Sequence, residues 1–278
     1  MAAALGEQGL IPTTDAFGTA LADIARCDRC GHMQLDRMPS AARLGEAYGE
    51  AASSDYVDEE EGQRATARAA LERIERHSGG PGRLLDLGCW VGFLLAEARE
   101  RGWDTLGVEP SEFASGYARS VLGLDVMQGD LLAAPVPEGV WDAVVLGDVI
   151  EHLIDPAAAL DHIKALLAPG GVVYMALPDA GSRLARRMGA RWWSVIPTHV
   201  QYFTRASMRE LLERGGWRLE YLSTAPKAFS VRYYLGRIGG YSPALAGALV
   251  GAAEIGGVAD SLWAPDFRDR MAVVARSA

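Results

Sequence analysis

Cysteine is scarce: three residues in 278, at positions 27, 30 and 89, exclude a disulfide framework. No signal peptide is recognised, so the expected setting is a reducing cytoplasm. Positive charge is short as well. With 27 Lys and Arg against 36 Asp and Glu, the net charge is −9, which argues against a nucleic-acid surface, because phosphate binding draws on clustered Lys and Arg. No uninterrupted apolar run reaches membrane length. The most apolar tail, residues 241–263, contains Gly247-x-x-x-Gly251, a spacing used in membrane packing. It also carries Glu254 and Asp260, and a charge within a span is costly, so the segment is expected to be a cap helix packed on the domain. A Walker-type Gly-Lys-Ser/Thr is missing, and no long repeat or low-complexity tract occurs.

What the chain has is a large apolar fraction, 49%, enough to fill the core of a sizeable domain. Its most informative stretch is Arg83-Leu84-Leu85-Asp86-Leu87-Gly88-Cys89-Trp90-Val91-Gly92-Phe93, followed by Leu106-Gly107-Val108-Glu109-Pro110-Ser111. An apolar run ends in Asp-x-Gly-x-x-x-Gly and opens a helix over 93–101; a second apolar run ends in a carboxylate. This is the order of a nucleotide-handling βαβ unit, in which glycine permits a tight turn and close approach of a ligand. Glu109, 21 residues past Gly88, is placed to accept hydrogen bonds from a ribose diol. A dinucleotide site needs Gly-x-Gly-x-x-Gly for its pyrophosphate. Here Trp90 and Phe93 occupy two of those three positions, so a nicotinamide-dependent oxidoreductase or epimerase is the weaker reading.

The loop resembles the first motif of class I S-adenosylmethionine (SAM) methyltransferases, Asp-x-Gly-Cys-Gly-x-Gly, with Trp90 at the middle glycine. Gly129-Asp130-Leu131, Asp148-Val149-Ile150-Glu151-His152-Leu153 and Pro169-Gly170-Gly171 follow in the family's order, so the resemblance covers residues 83–178. It implies SAM as cofactor and S-adenosylhomocysteine (SAH) as product. Asp86, Gly88, Cys89 and Gly92 would hold the methionine end, Glu109 and Pro110 the ribose, and Asp130 and Leu131 the adenine. Gly147, Asp148 and Val149 would line the mouth of the fourth strand. The implied fold is α/β: a doubly wound, mostly parallel seven-stranded sheet with an N-terminal extension and a C-terminal helical cap.

Periodicity supports that architecture. Residues 62–77 predict a helix, and apolar runs near 83–88, 105–109, 125–128, 141–147 and 171–177 suit a parallel sheet buried on both faces. Asp155-Pro156 caps a helix that Pro169-Gly170-Gly171 stops. The resemblance adds a final antiparallel pair, for which 218–224 and 270–275 are the candidates.

Two segments fall outside this core. The expected organisation is an extension or lid over 1–60 and a SAM domain over 61–278, the latter including an acceptor-side insertion at 180–204 and a helical cap at 226–265. The extension carries Cys27-Asp28-Arg29-Cys30-Gly31, half of a tetrahedral zinc site. The run from Met38-Pro39 to Tyr48 and Tyr56 resembles the end of a zinc-binding region found ahead of some sugar C-methyltransferases. The second cysteine pair is missing, so a metal-free, vestigial knuckle is expected.

The insertion, Arg191-Trp192-Trp193-Ser194-Val195-Ile196-Pro197-Thr198-His199-Val200-Gln201-Tyr202-Phe203, resembles the acceptor-side segment of small-molecule methyltransferases. It offers Trp192, Trp193 and Tyr202 as an apolar acceptor wall, with two tryptophans that would serve equally well as core. An acceptor hydroxyl or acidic carbon must lose a proton, and a near-neutral histidine can take it. His199 is the first candidate base and His152 the second, with Glu151 and Tyr202 as further catalytic candidates. An amine acceptor would need no base. The expected function is therefore methyl transfer to a small-molecule acceptor in specialised or sugar metabolism, with no nucleic-acid or membrane partner and self-association as a homodimer left open. Methyl transfer to a protein or RNA is disfavoured by the acidic charge, and a non-catalytic role is disfavoured by the intact Asp86 and Glu109.

Overall fold

The computed structural model describes residues 17–49 and 55–277. It begins with a hairpin, β1 (Ile24–Arg26) and β2 (Met33–Leu35), then helices α1 (Ala41–Gly49), α2 (Asp55–Asp58) and α3 (Glu60–Ser78). Strands and helices then alternate: β3 (Arg83–Leu87), α4 (Phe93–Glu100), β4 (Asp104–Glu109), α5 (Glu112–Ser120), β5 (Val126–Gln128), β6 (Trp141–Gly147), α6 (Pro156–Leu166) and β7 (Leu167–Pro178). The remainder comprises α7 (Arg183–Met188), β8 (Gln201–Tyr202), α8 (Arg205–Arg214), β9 (Trp217–Thr224), β10 (Phe229–Ser230), α9 (Val231–Arg237), α10 (Pro243–Ile255), β11 (Leu262–Trp263) and β12 (Arg270–Ser277). Residues 1–16 and 50–54 of the expected extension, and the side chains of Tyr48 and Tyr56, lie outside the described residues.

Seven strands form one sheet in the order β5-β4-β3-β6-β7-β12-β9. The first five are parallel, and β12 runs antiparallel to both β7 and β9. Both faces are covered, which is why the strands read as continuous apolar runs. Leu85, Val144, Leu146 and Val173 meet α6 and α8 through Leu160, Ile163, Met208 and Leu212. Leu84, Val145 and Tyr174 meet α3 and α4 through Leu71, Ile74 and Leu95. The caps behave as their chemistry dictates: Asp155 accepts from Ala158 N, and Thr204 from Ser207 N in a capping box.

One local expectation is corrected. Pro169-Gly170-Gly171 does not separate helix from strand. β7 starts at Leu167, which pairs with Trp141, and the register shifts before Ala143 meets Val172. Gly170, at φ 84°, absorbs the extra residues as a bulge.

The hairpin joins the rest of the chain through a strand pairing. β2 pairs with β8, making a three-stranded sheet β1-β2-β8. Leu35 and Leu44 pack there against Trp192, Val195, Val200 and Tyr202. At the far end of the chain, Glu59 anchors the start of α9, accepting from Ser230 N at 2.7 Å and Ser230 Oγ at 2.6 Å. Among the described residues, no helix is long and apolar enough to cross a membrane.

Candidate active site

A cavity of about 520 Å³ opens at the carboxyl ends of β3, β4 and β6, the edge where open α/β sheets bind ligands. β3 delivers Asp86 and then the turn 88–92. Gly88, Trp90 and Gly92 all have positive φ, at 84°, 49° and 88°. Trp90 is the one non-glycine residue of the three, and a left-handed backbone there costs about 1–3 kcal/mol of strain. A side chain at Gly88 would lie 2.6 Å from Val149 Cγ2, so the turn packs directly on the end of β6.

Glu109, at the end of β4, is held by the main chain on both oxygens. Trp90 N donates to one at 2.9 Å and Ser111 N to the other at 2.8 Å. Burial pushes its carboxyl up to about 6, against those two hydrogen bonds. Burial and then the Glu109 charge push Asp86 up to about 8. Two carboxyl groups buried side by side in one pocket attract hydroxyl donors and positive charge. Asp130 Oδ1 accepts from Leu132 N and Ala133 N, at 2.9 and 3.0 Å. Of the eleven residues expected to bind cofactor, Asp86, Gly88, Cys89, Glu109, Pro110, Asp130, Leu131, Gly147, Asp148 and Val149 line the cavity. Gly92 does not; it turns the chain into α4.

Asp148 has another task besides lining. Burial alone would raise its carboxyl, but Arg270 and Lys227 hold it well below the usual range. Lys227 Nζ is 2.6 Å away, and Arg270 bonds the other oxygen. Sequence reasoning missed both cations, along with Arg73 and Thr66 of α3, which also line the cavity. No local pattern marks them, because they reach the cavity from elements distant in sequence.

The acceptor-side residues are distributed differently from expectation. His152 lines the cavity, whereas His199, Glu151, Tyr202, Trp192 and Trp193 do not. His199 sits behind His152, the two rings edge-to-face with centroids 4.7 Å apart. His199 Nδ1 is 2.7 Å from Ser194 O and His152 Nδ1 is 2.9 Å from Thr198 O, so both rings point Nε2 away from those carbonyls. Burial lowers both histidines, and the neighbouring His152 lowers His199 further. Burial and then Asp148 raise Glu151 to about 8, and burial also raises the Tyr202 hydroxyl. Neither carboxylate oxygen of Glu151 nor the Tyr202 hydroxyl meets a hydrogen-bonding partner among the described residues. Ligating atoms of Glu151, His152 and His199 lie within 4.8 Å of one another, a cluster able to share a proton or hold a cation.

Trp192 is core. It is 2% exposed and its Nε1 donates to Asp269 Oδ2 at 3.2 Å. Trp193 stacks edge-to-face on Phe267 at 5.7 Å. The aromatic insertion thus wedges the hairpin onto the domain, and the cavity's outer wall comes from α1, α3 and residues 225–227. Trp192→Ala is expected to cost about 3–5 kcal/mol of stability while leaving cofactor affinity unchanged, as denaturant titration and calorimetry would read.

Cys27 is exposed and Cys30 half-buried at the hairpin tip, where Gly31 N donates to Cys27 O at 2.9 Å. His32 is turned to Gln201, Nε2 to Oε1 at 2.9 Å. The double variant Cys27→Ser, Cys30→Ser should keep wild-type melting temperature and SAH affinity; a fall of more than a few degrees, together with one zinc per wild-type chain by elemental analysis, would show a structural metal at the pair.

The family described as a methyltransferase domain matches residues 60–222. The chain belongs to that family. A probable S-adenosylmethionine-dependent methyltransferase of Mycolicibacterium smegmatis is 30% identical to it over 141 residues, 49% of this chain and 52% of the relative. A ubiquinone biosynthesis O-methyltransferase of Acinetobacter baylyi is 31% identical over 118 residues, 37% of this chain and 48% of that protein. This methyltransferase domain thus spans about half the length of these curated relatives. Among solved structures, Burkholderia thailandensis 1,6-didemethyltoxoflavin-N1-methyltransferase, bound to 1,6-didemethyltoxoflavin and SAH, superposes at TM-score 0.54. Its identity is 17%, covering 92% of this chain and 100% of that one. The [4+2]-cyclase SpnF superposes at 0.51 with 21% identity, covering 76% and 80%. The fold alone therefore does not settle the chemistry; the site must.

Proposed function

We propose that this methyltransferase domain moves the methyl group of SAM to a small-molecule acceptor, with His152 taking the acceptor's proton. The observation that carries the reading is the pair Asp86 and Glu109, buried together at the ends of β3 and β4 beside the glycine turn. Glu109, fixed by Trp90 N and Ser111 N, presents its remaining lone pairs to a ribose diol. Asp86 supplies negative charge toward the cationic methionine end. SAM contributes an electrophilic methyl on a sulfonium, and displacement at that carbon depends mostly on alignment. The chain's own task is to hold the acceptor over β6 and remove a proton. His152, kept neutral by burial, faces the cavity and is backed by His199 and Glu151.

A role in specialised or sugar metabolism is supported by the mixed polar and apolar cavity and by the near full-length likeness to a methyltransferase bound to 1,6-didemethyltoxoflavin. Free thiols at Cys27, Cys30 and Cys89 suit a reducing compartment. Calorimetry with SAH and NAD tests the cofactor assignment. Saturable SAH binding without NAD binding is expected, and the reverse would replace methyl transfer with hydride chemistry.

A further inference from the structure

A second cleft, of about 870 Å³, opens beside the cavity and shares no lining residue with it. Its walls are α7 and the residues joining it to β7, the start of α8, the end of β9 and the residues just before β12. Since β12 is antiparallel to both β7 and β9, these points lie on the same edge of the sheet as the cavity. The same two connections border both spaces. Ser223 and Thr224 line the cleft and residues 225–227 line the cavity; Arg268 lines the cleft and Arg270 the cavity.

Five arginines line this cleft against two aspartates. Arg205 is paired, its Nε 2.9 Å from Asp179. Asp266 is occupied by Thr224 Oγ1 at 2.8 Å and Arg268 N at 2.9 Å. That leaves the guanidinium groups of Arg183, Arg186, Arg187 and Arg268 with no carboxylate partner among the described residues. Arg183, Arg186 and Arg187, at i, i+3 and i+4 of α7, fall on one side of that helix, where like charges repel. Planar guanidinium forks match tetrahedral oxyanions of two or more charges. On the cavity side the positive lining continues through Lys227 and Arg270, which share the single carboxylate of Asp148.

We propose that this arginine cleft binds a phosphate or diphosphate group, and that the methyl acceptor is the molecule that carries it. The anionic handle lies among Arg183, Arg186, Arg187 and Arg268 while the reacting end reaches past Lys227 to the cavity. The inference rests on the methyl-transfer reading of the cavity for its acceptor half, and on the cleft alone for its anion half.

Calorimetry of the SAH-loaded protein with inorganic pyrophosphate, at fixed ionic strength, tests the anion site. Wild type should bind saturably, and the double variant Arg183→Gln, Arg187→Gln should bind at least tenfold more weakly with SAH affinity unchanged. Binding that is absent, or equal in both proteins, overturns the site. For the acceptor half, the protein and methyl-labelled SAM are incubated with small-molecule extract of the native cells, untreated or treated with phosphatase. Label transfer should be lost after phosphatase treatment; transfer that survives it overturns the phosphorylated acceptor. Transfer absent even from untreated extract, or failure to bind SAH, overturns the underlying reading instead.

Discussion

Replacing Glu109 by Ala should weaken SAH binding by at least tenfold. On the proposed reading, the wild-type carboxylate would offer the ribose hydroxyls two oxygens, each already fixed by a backbone N–H. Its loss removes the acceptor of those hydroxyls, at about 1.5–3 kcal/mol for hydrogen bonds to a charged group. Calorimetry giving wild-type affinity in the variant would remove Glu109 from the cofactor site. The same carboxylates set a pH dependence. Asp86 is raised to about 8 from 3.8, and Glu109 to about 6 from 4.5. A carboxyl whose folded pKa is raised holds its proton longer in the folded protein than in the unfolded chain. The cofactor-free protein should therefore lose stability as pH rises from about 4 to about 8. Binding a cation and a diol favours the ionised forms, so SAM affinity should rise between about pH 6 and 8 with proton release. Calorimetry in buffers of different ionisation enthalpy reads that release directly; binding that takes up protons would contradict the charge assignment.

The second large effect separates the two histidines. His152→Ala should lower turnover about a hundredfold or more, as for loss of a general base, with SAH affinity nearly retained. His199→Ala should act mainly on stability, because it removes a buried ring bonded to Ser194 O; about 1–3 kcal/mol is expected. Burial places the His152 pKa below the ordinary histidine value, so wild-type turnover should hold at neutral pH and fall only on the acid side of the ordinary histidine range. That acid limb should vanish in His152→Ala. If His199→Ala instead loses turnover at unchanged melting temperature, the base is His199 and the cavity wall must open to admit it.

The sheet and cofactor turn are legible in the sequence because their signals are local. Gly88, Glu109, Gly129-Asp130 and Asp155-Pro156 each mark a strand end or helix start within a few residues of the feature they create. The acceptor side is not legible in the same way. A tryptophan such as Trp192 reads identically as pocket wall or core; only the placement of Asp269 and Leu35 decides for core. Asp148 reads only as a lining residue at the mouth of the fourth strand, but Arg270, 122 residues away, is bonded to it. Trp90 reads as a defect in the glycine turn, yet with a φ of 49° it takes the left-handed backbone that glycine adopts most easily, at the cost of local strain.

The strand pairing between the N-terminal hairpin and β8 has a kinetic consequence. His32 and Gln201, hydrogen-bonded to each other, are 169 residues apart, and β2–β8 joins two- and three-residue strands at a sheet edge. Closing so long a loop for so few hydrogen bonds is entropically unfavourable until the seven-stranded sheet already holds residues 167–224 in place. The hairpin should therefore be the last element to dock during folding and the first to open in the native state. Its backbone amides at Met33 and Leu35 should exchange with solvent by local opening, well before those of β6, which report only global unfolding.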